Sequence, residues 1–206
     1  MIIRFALAAL LMLLPAAAQA ETITVLALGD SLTAGLGLSP QDAFPARLEA
    51  ALKARGHDVI VQNAGVSGDT ASAGAARLDW ALTDEVDAVI IELGANDALR
   101  GLPPQETRKS LEAILAALAG RKLPALIAGM RAPINMGPDY AAAFDPIFAE
   151  LAAEHDSLLY PFYLDGVAAD PRLNQPDGIH PTAAGVDVIV AKMLPAAEAL
   201  LARAAK

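Results

Sequence analysis

The sequence contains no cysteine and few aromatic residues. A chain without cysteine forms no disulfides, has no thiolate nucleophile and offers no thiolate to a metal ion. Because aromatic residues make up only 4% of the 206 residues, we expect a core built from alanine, leucine, valine and isoleucine. Hydrophobic residues make up 55% and charged residues 19%, which is typical of a globular protein and not of a disordered chain or a coiled coil.

Positive charge is also scarce, because 24 acidic residues outnumber 15 lysines and arginines and give a net charge of −9. Such a surface repels phosphate backbones, so nucleic acid is not an expected partner. His57, His155 and His180 are isolated and lack the spacing of a metal site. We therefore predict that the protein uses no metal and no cofactor.

Two common site motifs are absent as well. The Gly-x-Ser-x-Gly elbow of α/β-hydrolases is not present, because residues 65–69 end in Asp where the last glycine should be. The Gly-Leu-Gly of residues 35–37 lacks the third glycine and the lysine of phosphate-binding loops. A nucleophile, if there is one, must lie in another kind of loop.

The N-terminus has the pattern of a secretory signal peptide. Arg4 precedes the ten-residue apolar run Phe5–Leu14, and Ala18-Gln19-Ala20 is typical of a cleavage site. The alternative is a membrane anchor, but a span needs about 20 apolar residues. We predict that residues 1–20 are removed and that 21–206 form one domain in the periplasm or medium, without stable membrane insertion.

The remaining chain alternates between strand-like and helix-like patterns. Consecutive apolar residues of strand length predict strands that are covered on both faces; they lie at Ile23–Leu28, Val59–Val61, Val86–Leu93, Ala125–Gly129 and Leu158–Tyr160. Helical periodicity occupies the segments between and after them, near 42–55, 71–82, 105–119, 138–154 and 182–203. This alternation predicts an α/β fold, a three-layer α/β/α sandwich with a five-stranded parallel sheet. It does not supply the strand order.

Four polar clusters follow these strands, at 29–35, 63–70, 94–97 and 177–181. The carboxyl ends of parallel strands share one edge of a sheet, where ligands bind. Taken singly, each cluster has an ordinary explanation, because Asp, Ser and Asn cap helices and Gly serves turns. Capping does not explain why all four lie at the same edge.

A catalytic interpretation does explain this placement. A serine hydroxyl needs an adjacent base, and His180 is the only histidine expected at this edge. Asp177, three residues earlier, can orient the imidazole while Ser31 attacks. The backbone N–H groups of Ser31 and Gly68, with the side-chain amide of Asn96, can donate hydrogen bonds to a developing oxyanion.

These residues resemble the blocks of the GDSL or SGNH hydrolase family. Gly29-Asp30-Ser31-Leu32 is similar to its first block, Gly68 and Asn96 match its second and third, and 177–181 matches its closing Asp-x-x-His block. Residues 63–70 and 93–102 are closest to the periplasmic branch of thioesterases, lysophospholipases and arylesterases. The resemblance implies a flavodoxin-like strand order 2-1-3-4-5 and a metal-free mechanism. It also implies the triad Ser31, His180 and Asp177, and an oxyanion hole of Ser31, Gly68 and Asn96.

Apolar residues in the expected rim loops suggest the substrate class. Leu36, Leu38, Leu102, Ile134 and Met136 can form an acyl-binding groove, or can instead cover the core. The favoured function is therefore hydrolysis of small-molecule esters and thioesters: aryl esters, acyl-CoA thioesters and lysophospholipids. The alternatives are a carbohydrate O-acetyl esterase of the same family and a periplasmic acyl-chain-binding module without activity. We expect the protein to be a monomer.

Overall fold

A parallel sheet of five strands forms the centre of the protein. The computed structural model describes residues 22–205, so the predicted signal peptide at 1–20 lies outside the described residues. The strands are β1 (Ile23–Gly29), β2 (Val59–Gly65), β3 (Ala88–Glu92), β4 (Ala125–Ala128) and β5 (Leu158–Tyr160). They are ordered β2-β1-β3-β4-β5, which confirms the order implied by the family resemblance.

Helices cover both faces of this sheet, which confirms the predicted three-layer arrangement. The helices are α1 (Ser31–Ala34), α2 (Phe44–Ala54), α3 (Ala71–Ala76), α4 (Leu78–Ala81), α5 (Ala95–Leu99), α6 (Pro104–Gly120), α7 (Pro138–Phe144), α8 (Ile147–Glu154) and α9 (Ala183–Ala204). Short 3-10 helices lie at Pro40–Asp42 and Ile134–Met136. Helices α2 and α9 pack together on one face, and α3, α6 and α8 pack on the other. No helix within 22–205 is both long and apolar enough to cross a bilayer.

Several predicted boundaries were wrong. The segment 71–82 forms α3 and α4, which meet at Arg77, and the segment 138–154 forms α7 and α8, which meet at Pro146. Proline lacks the N–H that a continuing helix requires. The short helices α1 and α5 were not predicted, because four or five residues show no helical period.

The strand register brings the polar clusters together. Gly29, at the end of β1, lies opposite Gly65 of β2 and Glu92 of β3. The loops after these three strands therefore begin side by side. The core beneath them is mostly aliphatic, as expected, although Phe44, Phe144 and Tyr163 are fully buried in it.

Candidate active site

Ser31 stands at a sharp turn between β1 and α1. Asp30 caps α1, because its Oδ1 accepts a hydrogen bond of 2.9 Å from the backbone N–H of Leu32. Ser31 is then the first helical residue and is only 9% exposed. Glycine is required at position 29, two residues before Ser31, because a Cβ there would lie 2.0 Å from Thr33 Oγ1.

Glu92 fixes this turn from below. Its Oε2 accepts hydrogen bonds from the N–H of Asp30 (3.2 Å), the N–H of Thr33 (3.1 Å) and the hydroxyl of Thr33 (2.7 Å). The carboxyl groups of Glu92 and Asp30 are both fully buried. Desolvation raises the pKa of Glu92 well above its usual range, and the charge of Asp30 adds to this shift.

The proton of this carboxyl pair belongs on Glu92. Its Oε1 is buried and has no hydrogen-bond partner among residues 22–205, an environment that penalises a charged carboxylate more than a neutral acid. Desolvation also raises the pKa of Asp30, to about 6, but hydrogen bonds from Leu32 and Asn96 limit that rise. Of the two, Glu92 is therefore the carboxyl group that retains a proton more readily, and Asp30 the one that ionises more readily.

His180 is held by a closed loop that precedes α9. Asn174 and Pro181 form an isolated antiparallel bridge, and the N–H of Gln175 donates to the carbonyl of His180 at 2.7 Å. The side-chain amide of Gln175 donates to the carbonyl of Leu36 at 2.7 Å. This contact ties the histidine loop to the segment that follows the Ser31 helix.

Asp177 and His180 of this loop form a continuous hydrogen-bonded chain with Ser31 of α1. Asp177 Oδ2 lies 2.7 Å from His180 Nδ1, and His180 Nε2 lies 2.9 Å from Ser31 Oγ. Asp177 Oδ1 also accepts from the N–H groups of Ile179 (2.9 Å) and His180 (3.0 Å). These hydrogen bonds, the His180 side chain first, lower the pKa of Asp177 to about 2. Asp177 is therefore an anion at any physiological pH.

The helix-cap explanation of Asp177 does not hold. Thr182 caps α9 through a 3.3 Å hydrogen bond from the N–H of Gly185. The other two histidines lie at the opposite edge of the sheet: His57 precedes β2 and is 3.2 Å from Glu198, and His155 ends α8.

Ser31, Gly68 and Asn96 line one cleft, and each carries a hydrogen-bond donor. The N–H groups of Ser31 and Gly68 donate to no acceptor within residues 22–205. Gly68 has a φ of +89°, a left-handed conformation that favours glycine. The Asn96 amide donates one hydrogen to Asp30 Oδ2 at 2.8 Å, which orients the amide and leaves its second hydrogen available. The guanidinium of Arg100 donates to the Gly68 carbonyl at 2.7 Å.

These groups open into an apolar cleft of about 670 Å³. Leu36 and Ile134 line it, as the sequence predicted, whereas Leu102 and Met136 do not. Those two lie beside the cleft instead: the Leu102 carbonyl accepts a hydrogen bond from Tyr140, and the Met136 methyl group approaches Gly101. Other apolar walls come from residues that sequence reasoning missed, Leu99, Met130, Phe162, Leu164 and Ala168.

Sequence reasoning also missed the supporting residues Asp30, Glu92 and Gln175. One signal was available for Glu92, since it is the only charged residue in the apolar run Val86–Leu93 apart from Asp87 near its start. A carboxyl group in a strand that is buried on both faces needs donors to satisfy it. Gln175 had no such signal, because its contacts depend on the path of the loop.

Comparison with known proteins identifies the family of this chain. Residues 27–188 match the model of the GDSL-like lipase/acylhydrolase family. The chain belongs to this family. The matched region holds all five residues that the sequence singled out for catalysis.

Several relatives in this family match most of the present chain. Esterase TesA of Pseudomonas aeruginosa is 38% identical over 184 residues, which are 89% of this chain and 92% of the relative. Thioesterase 1/protease 1/lysophospholipase L1 of Escherichia coli K12 is 40% identical over 166 residues, 80% and 77% of the two chains. The solved structure of AlinE4, an SGNH-hydrolase family esterase, has a TM-score of 0.75 at 45% identity and covers 89% of this chain and 98% of its own. The present chain is a GDSL/SGNH serine hydrolase, and its substrates are small-molecule esters.

Proposed function

We propose that this hydrolase cleaves esters and thioesters of medium and long acyl chains, with Ser31, His180 and Asp177 as its catalytic triad. The main support for this proposal is the hydrogen-bonded chain from Asp177 through His180 to Ser31 at the mouth of an apolar cleft. Acyl-CoA thioesters and lysophospholipids present an acyl group of this kind, and so do aryl esters of the same acids. The apolar lining disfavours the alternative substrate, an acetylated carbohydrate.

The reaction proceeds through an acyl-enzyme. His180 Nε2 accepts the hydroxyl proton while Ser31 Oγ bonds to the carbonyl carbon. The negative oxygen that forms is stabilised by the N–H groups of Ser31 and Gly68 and by the Asn96 amide. When the tetrahedral intermediate collapses, the alcohol or thiol leaves with the proton from His180. Water then repeats the attack on the acyl carbon, with the same base, and frees Ser31.

Asp177 acts through His180. The anionic carboxylate holds Nδ1 as the protonated nitrogen, so Nε2 faces Ser31 with its lone pair. It also stabilises the imidazolium that forms during attack. Support for this role comes from the hydrogen bonds that Asp177 accepts, from the His180 side chain first, because they lower its pKa to about 2 and keep the carboxylate charged throughout the cycle.

A series of p-nitrophenyl esters of increasing acyl length tests the proposal, beside an acyl-CoA and a lysophosphatidylcholine. Each methylene that enters the cleft should raise kcat/KM by up to about fourfold, because burying a CH₂ contributes about 0.8 kcal/mol. A preference for acetate over longer chains would favour the carbohydrate esterase. No turnover of any ester would favour an acyl-chain-binding module. Ser31→Ala is the inactive variant for this series. Its matched control is Ser110→Ala, which changes a serine on the exposed side of α6.

We also propose that the protein is exported, as a monomer of one domain comprising residues 21–206. Support comes from the apolar run and the Ala18-Gln19-Ala20 sequence. The mass of the exported protein should correspond to a chain that begins at Glu21. A mass that retains residues 1–20 would contradict cleavage.

A further inference from the structure

Exposed apolar side chains are concentrated around the mouth of the cleft. Within residues 22–205, seven large hydrophobic side chains are strongly exposed, and five of them surround the catalytic edge of the sheet: Leu36, Val66, Leu99, Ile134 and Ile179. Four of these line the rim of the cleft, and Val66 directly precedes Ser67, which also lines it. We call these five residues the apolar rim. Ile134 lines the cleft at its outer margin and is 99% exposed, so its side chain is open to solvent.

The same edge carries the arginines that have no carboxylate partner. Of the nine arginines in the described part of the chain, seven form ion pairs, and the two that do not are Arg100 and Arg131. Arg100 contacts the Gly68 carbonyl at the rim, and Arg131 lines the cleft with its guanidinium 4.8 Å from the ring of Phe162. Both side chains are exposed.

Nearby acidic groups do not neutralise these cations directly. Asp69, next to Gly68, binds another arginine at 2.6 Å. Asp165 binds a lysine at 2.7 Å. A protein with a net charge of −9 therefore presents two unpaired arginines beside an exposed apolar ring.

We infer that the apolar rim, with Arg100 and Arg131, docks on an anionic lipid surface and places the cleft against it. Apolar side chains would enter the boundary between head groups and acyl chains, and the arginines would meet head-group phosphates. A lipid ester with one acyl chain could then pass from the lipid surface into the cleft. A second copy of the chain fits this surface poorly, because the pairing of two rims would bring four cations together.

Docking does not need a working nucleophile, so it can be measured on Ser31→Ala protein purified as the cell exports it. The probes are vesicles of phosphatidylcholine with phosphatidylglycerol and vesicles of phosphatidylcholine alone, in a sedimentation assay. We expect binding to the anionic vesicles that weakens with salt. Adding Ile134→Ser should lower the partition coefficient about tenfold, because a buried isoleucine contributes at least about 1.5 kcal/mol.

Trp80→Ser is the matched control. Trp80 is 85% exposed but lies at the opposite edge of the sheet. Its neighbour Asp79 binds Arg121, which stands in the loop between α6 and β4. It should leave vesicle binding unchanged. Arg100→Gln and Arg131→Gln should each weaken binding to the anionic vesicles about fivefold, as expected for loss of one cation near the surface, with little effect on phosphatidylcholine.

Three results would overturn the inference: no binding to anionic vesicles, equal effects of Ile134→Ser and Trp80→Ser, or a dimer in light scattering that Ile134→Ser dissociates. Hydrolysis of a soluble short-chain ester by the wild-type protein is measured separately. Failure there would contradict the proposed function, whereas failure of vesicle binding contradicts only the docking surface.

Discussion

The side-chain amide of Asn96 donates a hydrogen bond of 2.8 Å to the buried carboxylate of Asp30. The residue directly before Ser31 therefore orients a donor that comes from the loop after a different strand. An amide held in this way loses little rotational freedom when an oxyanion forms beside it.

Asn96→Ala should lower kcat about 10²–10³-fold with a modest change in KM, because an oxyanion donor binds the transition state preferentially. Steady-state kinetics on a soluble p-nitrophenyl ester measures this. A raised KM with an unchanged kcat would instead make Asn96 a substrate-binding residue.

Asp30→Asn should lower kcat through Asn96. An asparagine at position 30 cannot accept hydrogen bonds from both Leu32 and Asn96, because one of its two terminal atoms is an NH₂ group. In the Asn96→Ala background the same change should have a much smaller effect, since its target is gone. Equal effects in both backgrounds would show that Asp30 acts on Ser31 by another route.

Glu92→Gln should flatten the dependence of thermal stability on pH. A carboxyl group whose pKa is raised on folding binds its proton more tightly in the folded state, so stability falls as pH rises above the unfolded pKa of about 4.3. Glutamine replaces the neutral acid with a group of the same shape that does not titrate. The Tm of the variant should therefore equal or exceed that of the wild type at neutral and alkaline pH, with the advantage growing as pH rises.

Glu112→Gln is the control, because Glu112 is an exposed carboxylate on α6. It should change the Tm little at any pH. A Glu92→Gln variant that loses stability most at high pH would mean that Glu92 is ionised in the folded protein. Glu92→Ala should be destabilising at every pH, because three buried donors lose their acceptor.

Asp177→Asn should reduce kcat about 10³–10⁴-fold at neutral pH, since asparagine favours the wrong tautomer of His180. Because the pKa of Asp177 is about 2, Asp177 does not titrate over the working range. Near-full activity of Asp177→Asn would leave a Ser-His dyad.

The sequence predicted the layers of the fold and the residues of the candidate triad for one reason. Both depend on strand connectivity, which places the loops after parallel strands at one edge. Ser31 and His180 are 149 residues apart, yet both follow strands and therefore reach the same rim. Periodicity could not supply α1 or α5, which are too short to show a period.

The walls of the cleft were harder to predict. Leu102 and Met136 lie in the expected loops, but the turn at Gly101 and the 3-10 helix at Ile134–Met136 leave them outside the lining. Phe162 and Leu164 line the cleft because the chain turns back after β5, where the N–H of Tyr163 bonds to the carbonyl of Gly129. Such contacts depend on loop geometry that no local pattern reveals.

Ser31→Ala and His180→Ala should each lower kcat by about 10⁴ or more and leave the Tm nearly unchanged. The double variant should lose little more than either single one, because the two residues act as a unit. Losses that multiply would mean that Ser31 and His180 contribute independently.

Ser31 is the proposed nucleophile, and His180 is the base that activates it. A fluorophosphonate probe, followed by mass spectrometry of the intact protein and its peptides, tests this most directly. We predict one label per wild-type chain, on Ser31, with no labelling of Ser31→Ala and greatly slowed labelling of His180→Ala. A label on another residue, or undiminished labelling of Ser31→Ala, would contradict the assignment of Ser31 as the nucleophile.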